Sequence, residues 1–231
     1  MKVVGLSGAQ GGGKSSLLIE LENRGWRLDK FRVSRAVQAQ LGWEKLDTVM
    51  ESWETMTQFQ NEVFKQKYNH DLTLAVKGSH EFEAVGKQNA DGERGITLEH
   101  DPERNHRNEF ILTERTFADI AAYTTMWTWR HVDRGNVDLN TGTQFLASYL
   151  AGCAHAHRQI YAATLLLPYM PDVIKWEEDP NRASRADVDT VYEDVERFLE
   201  RKLPIDHKRL TIYMKSVMDR ATQVETFLRT L

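Results

Sequence analysis

The chain has 231 residues, 41% hydrophobic and 28% charged, the make-up of an ordinary globular protein long enough for one α/β domain with a full core. A net charge of -4 excludes the global basic field of a general nucleic-acid binder, though not a local basic groove. The single cysteine, Cys153, excludes an internal disulfide, argues against a cysteine metal site and reads as a small buried apolar residue.

In chain order, the apolar run Val3-Val4-Gly5-Leu6 predicts a buried strand beginning at residue 2, which leaves no room for a signal peptide. Residues 8 to 15 then spell Gly8-Ala9-Gln10-Gly11-Gly12-Gly13-Lys14-Ser15, a complete phosphate-binding P-loop between that strand and a helix through Ser16 to Glu22. Gly8, Gly11, Gly12 and Gly13 let backbone amides converge on phosphate oxygens, and the helix N-terminus faces the same anion. Lys14 can reach the β- and γ-phosphates of ATP. Ser15 can ligate magnesium, and Ser16 completes the nucleotide-binding set.

A second strand is predicted over 26–31, followed by Ser34-Arg35, where Arg35 could hold an acceptor's phosphate. Residues 34–76 carry mostly helical spacing, with Trp53, Met56, Phe59, Val63 and Phe64 on one side. Within them, Phe59 could stack on a nucleobase and Gln60 bond its edge, although aromatics at this spacing are more often core. Residues 77–108 read as a polar insertion, either a mobile loop or a small hairpin around Gly92 to Gly95. Its histidines, His80, His100 and His106, match no metal spacing, and neither do His155 and His157.

Glu109 to Thr113 predicts a central strand, followed by Glu114-Arg115-Thr116-Phe117-Ala118-Asp119 and helices over 117–131 and 143–161. Glu114 could accept a proton or hold magnesium, Arg115 could clamp a phosphate, and Asp119 closes the motif on the substrate side. Thr164 to Leu167 predicts another buried strand, stopped by Pro168. The apolar stretch near Tyr161 to Leu167 is too short to span a bilayer, so a cytoplasmic protein without a membrane partner is expected. Residues 176–186 form a charged loop suited to a lid, in which Arg182 and Arg185 would neutralise charge on a transferred phosphoryl group. An amphipathic helix over 187–202, a strand over 209–214 and a helix over 216–231 complete the chain.

Strands alternating with helices predict a parallel sheet with helices on both faces and a ligand site beyond the strands' carboxyl ends. That places residues 32–35, 113–119 and 168–185 beside the P-loop.

The P-loop, Ser34-Arg35, Glu114-Arg115 and the arginine-bearing lid follow one another in the order that resembles nucleotide and nucleoside kinases. Arg35 resembles the acceptor-phosphate arginine of thymidylate kinases. Phe59-Gln60 and Glu114-Arg115-Thr116 resemble the Phe-Gln and Glu-Arg-Ser of deoxynucleoside kinases. The run from Glu114 to Tyr123 is also similar to small P-loop ATPase or kinase proteins of bacteriophages. The resemblance implies one P-loop NTPase domain over 1–231, three layers around a five-stranded parallel sheet, using ATP and magnesium. Deoxynucleoside kinases carry a glutamate after the second strand as general base. Arg32-Val33-Ser34-Arg35 has no acid, which suits a (deoxy)nucleoside monophosphate acceptor better than a hydroxyl. A hydroxyl acceptor, either a deoxynucleoside or 5-hydroxymethyluridine within DNA, is the alternative. A P-loop ATPase without kinase activity ranks lower, because Leu112-Thr113-Glu114 lacks the paired acids of such motors. The expected partner is a nucleotide or nucleoside substrate, with DNA as a second acceptor and a homodimer as the assembly.

Overall fold

Successive side chains of a strand point to opposite faces, so a strand covered on both sides must be apolar at nearly every position. The computed structural model describes residues 1–8, 11–43, 50–88, 106–170 and 185–231, apart from the side chains of 77–88 and 185–186. In it, β1 (Lys2–Ser7), β2 (Leu28–Asp29), β3 (Phe110–Glu114), β4 (Tyr161–Leu166) and β5 (Lys208–Thr211) form one parallel sheet in the order β2-β3-β1-β4-β5. Val3, Ile111 and Tyr161 enter the core on one face, whereas Val4, Leu6, Phe110, Leu112, Ala163 and Leu165 enter the core on the other.

The Val4 side is closed by α1 (Lys14–Asn23) and α7 (Val217–Leu228), through Leu17, Leu21, Val224 and Leu228. The Val3 side takes α2 (Val33–Leu41), α3 (Trp53–Gln88), α4 (Phe117–Asp133), α5 (Leu139–Ile160) and α6 (Arg185–Arg201). The three-layer α/β arrangement expected from the alternation is therefore present. Gly5 allows a close approach within it, since a Cβ there would come within 2.3 Å of the Thr116 methyl.

Three elements differ from the expectation. The second strand contracts to Leu28–Asp29. The helical stretch divides, because α2 stops at Gly42, whose φ of 68° is left-handed. Finally, α3 continues to Gln88, so residues 77–88 of the polar insertion are helix and not loop or hairpin. Glu81, Glu83, Ala84, Lys87 and Gln88 are good helix formers, and a helix already nucleated on a buried face propagates without an apolar stripe of its own. Gly92 to Gly95 lie outside the described residues, as does the lid up to residue 184. Among the described residues no helix is long and apolar enough to cross a membrane.

Candidate active site

β1 delivers Ser7 and Gly8 to the carboxyl edge of the sheet. Gly8 has φ 138°, and a Cβ there would come within 2.4 Å of the Leu167 carbonyl oxygen, so a side chain has no place. Gly13, at φ 79°, turns the chain into α1, whose N-terminus has no side-chain cap. An anion completes such an end. Lys14 is only 7% exposed, and its Nζ donates to the Gly8 carbonyl at 2.5 Å. Burial pushes its ammonium below the ordinary value. Asp119 opposes that shift, Arg115 adds to it and Glu114 opposes it. Ser15 and Ser16 are exposed on the first turn of α1, where a metal–phosphate group would fit beside the uncapped amides.

Asp119 was expected on the substrate side, but it lies beneath the P-loop and is 1% exposed. One oxygen accepts the Gly8 N–H at 2.9 Å and the other accepts the Thr116 N–H at 2.8 Å. Thr116 caps α4 by accepting the Ala118 N–H at 3.0 Å, and its hydroxyl shares a 2.5 Å hydrogen bond with Ser7. This capping box ties the start of α4 to the P-loop, so both Asp119 oxygens are engaged by protein.

Between β3 and that cap stands Arg115, with φ 61°, the one non-glycine among the described residues in the left-handed region. That conformation costs about 1–2 kcal/mol for an L-residue. Its N–H donates to the Leu6 carbonyl at 3.1 Å, its guanidinium lies 5.6 Å from the Tyr123 ring, and Nη1 reaches Ser34 Oγ at 3.4 Å. The structure thus brings Ser34, on the first turn of α2, beside half-buried Arg115, and Arg35 follows Ser34 as an exposed residue of the same turn. It does not bring Phe59 and Gln60 into the open. Each is 3% exposed, and Phe59 packs on Trp43 with ring centroids 6.2 Å apart. Arg182 lies outside the described residues, and Arg185 is the first residue of α6.

Sequence reading missed a buried polar chain behind this turn. Lys67 of α3 is 0% exposed. Its Nζ donates to Thr113 Oγ1 at 2.8 Å and to the Glu114 carbonyl at 3.2 Å, and it pairs with Asp71 at 3.1 Å. Thr113 donates in turn to Asp29 at 2.9 Å, and Asp29 accepts from His70 at 2.9 Å. Tyr161 donates to Asp71 at 2.5 Å. Burial pushes the Asp71 carboxyl up, against the pull of Lys67. Asp29 sits at the end of β2 in register with Thr113, an acid a few positions before 32–35. Asp29, His70 and Asp71 lie close enough to hold a metal ion, but the Lys67 ammonium already supplies the buried cation beside Asp71. The signal was present as Lys67 and Asp71 on the stripe of Met56, Gln60 and Val63, charges where the period demands apolar residues. Arg220 of α7 was missed in the same way. It is 2% exposed, and it donates to the Gly12 carbonyl at 3.2 Å and the Met214 carbonyl at 2.6 Å, bracing the P-loop from the β5 side.

No family model matches the chain, and no curated protein matches it. Among solved structures it is similar to deoxyadenosine kinase from M. mycoides with bound dCTP, at TM-score 0.51 and 13% identity, over 99% of this chain and 100% of that one. It is also similar to the same kinase with the product dCMP and a flexible dCDP, at TM-score 0.50 and 14% identity over the same shares. At such identity the likeness is one of fold: the chain has a P-loop nucleoside-kinase-like fold over its whole length.

Proposed function

We propose that the chain transfers the γ-phosphoryl group of ATP to a (deoxy)nucleoside monophosphate. The observation that supports this reading is the proximity of Lys14, Glu114, Arg115 and Ser34 at one edge of the sheet, with Arg35 next to Ser34 in the chain. Lys14 and the loop amides hold the β- and γ-phosphates. Ser15 and Glu114 would hold magnesium, which when bound neutralises charge between the phosphates. Arg115 and Arg35 orient the acceptor phosphate, which is already ionised and needs no strong base. Arg182 and Arg185 are assigned to offsetting charge on the transferring group, and their removal lowers turnover more than ATP affinity. An ATP-consumption screen across monophosphates, nucleosides and hydroxymethylated DNA tests this. Turnover on monophosphates supports it, whereas hydrolysis indifferent to every acceptor leaves an ATPase.

A second reading, phosphoryl transfer to a hydroxyl, is favoured by Asp29. A hydroxyl must lose its proton, and a carboxylate stands at the end of β2, next to the Glu114-Arg115 turn. The fold-level likeness to a deoxyadenosine kinase points the same way. Under this reading Asp29→Asn removes turnover on nucleosides. Under the first it leaves turnover on monophosphates largely intact.

A further inference from the structure

We infer that Lys67 is a positioning residue for Arg115, a buried clamp that holds the arginine in its left-handed backbone conformation and so aims it at the acceptor. For its kinetic part the inference rests on the phosphoryl-transfer reading above.

A backbone outlier persists only where its surroundings over-determine it, and it is found preferentially where function needs one orientation of a side chain. Both peptides that flank Arg115 are pinned. The peptide after it is held by the Thr116 N–H on Asp119 at 2.8 Å. The peptide before it is held at both ends, by the Arg115 N–H on the Leu6 carbonyl at 3.1 Å and by the Glu114 carbonyl on Lys67 at 3.2 Å. With both planes set, φ and ψ of Arg115 are no longer free. Leu6 and Asp119 belong to the P-loop strand and the α4 cap. Lys67 comes from α3, more than forty positions earlier in the chain, and is fully buried. An apolar residue would fill that space at lower desolvation cost, so the ammonium needs its own explanation. Its three partners provide one. Asp71 balances its charge, while Thr113 and the Glu114 carbonyl are the two β3 groups immediately before Arg115.

Lys67→Met alone would leave the Asp71 carboxylate buried and unpaired, so the test compares Lys67→Met/Asp71→Asn with Asp71→Asn. The first measurement needs no substrate. Arg115→Gly relieves the strained φ and, in the Asp71→Asn background, raises the unfolding temperature by about 2–4 °C. In the Lys67→Met/Asp71→Asn background the turn has already relaxed and the gain disappears. An equal gain in both backgrounds overturns the clamp. The second measurement is kinetic. Loss of Lys67 lowers turnover by about tenfold to a hundredfold and leaves the ATP Michaelis constant within about twofold. In an Arg115→Ala background it has no further effect on turnover. Multiplicative losses would show that Lys67 acts independently of Arg115. If the parent turns over no acceptor, the kinase reading fails, and the unfolding measurement still decides the clamp.

Discussion

The two sides of the candidate site are built in opposite ways. On the side proposed for the donor the candidate residues are eight consecutive positions, and Lys14, at the start of α1, folds back on Gly8 six positions earlier. On the side proposed for the acceptor, Asp29, Lys67, Thr113 and the Glu114 carbonyl meet from β2, α3 and β3 through hydrogen bonds made by side chains. The loop takes its turns from its own glycines and leans on outside groups such as Asp119 and Arg220 for its seat. A site assembled from distant elements transmits change from one element to another. Substitutions on the donor side should therefore act steeply and singly, and those on the acceptor side should act in coupled sets.

The sharpest test of the donor half is Lys14→Ala. Under the proposed function it should cost about two to four orders of magnitude in turnover while the unfolding temperature holds, because the ammonium would meet charge that develops in the transition state. Wild-type turnover in a folded variant would remove the kinase reading. Asp119→Ala breaks the joint between the halves. It should lose about 1 kcal/mol for the α4 cap and about 1–3 kcal/mol for the orphaned Gly8 amide, and ATP binding should weaken with it. Denaturant unfolding with and without ATP measures both, and an unchanged midpoint would mean that Asp119 does not hold the loop.

Arg35→Ala probes the acceptor half. If Arg35 holds an acceptor phosphate, the acceptor Michaelis constant should rise about tenfold to a hundredfold, a charged hydrogen bond of about 1.5–3 kcal/mol, with ATP affinity spared. If DNA is the acceptor, the log–log salt slope should also flatten by about one unit. An unchanged constant favours the hydroxyl reading.

The smallest effect lies away from both halves. His157 is fully buried, and its Nε2 shares a 2.8 Å hydrogen bond with Thr164, whose hydroxyl also meets His207 at 2.9 Å. Burial, with His207 nearby, holds His157 well below the ordinary histidine value, and burial lowers His207 as well. The folded state therefore binds fewer protons than the unfolded chain once pH falls below about 6.5. Stability present above that pH is lost below it, at up to about 1.4 kcal/mol per pH unit for each group. His157→Gln should flatten this acid slope between pH 7 and 5. An identical slope in the variant would assign it to other groups.

The stretch from Lys2 to Asn23 was legible because its constraints are local. A two-sided apolar strand, glycines at positive φ and a helix starting at Lys14 are all written in adjacent residues. The position of Glu114 and Arg115 at the carboxyl end of a central strand was legible from the apolar run before them. Phe59 and Gln60 were not, because an aromatic–carboxamide pair looks the same whether it faces a base or a core, and packing against Trp43 decides between them. Asp29 fell inside the second strand expected over 26–31, but nothing local marked it, and its hydrogen bond with Thr113 exists only once that strand pairs with β3. Asp119 had the right spacing for a capping box but was assigned to the substrate, since which partner a carboxylate takes depends on what is buried beside it. Backbone sterics and periodicity act over a few residues and can be read directly from their order. The partner of a buried Lys67, Asp71 or Arg220 is chosen by which elements exclude water from one another, and that choice exists only once the sheet and its helices have closed.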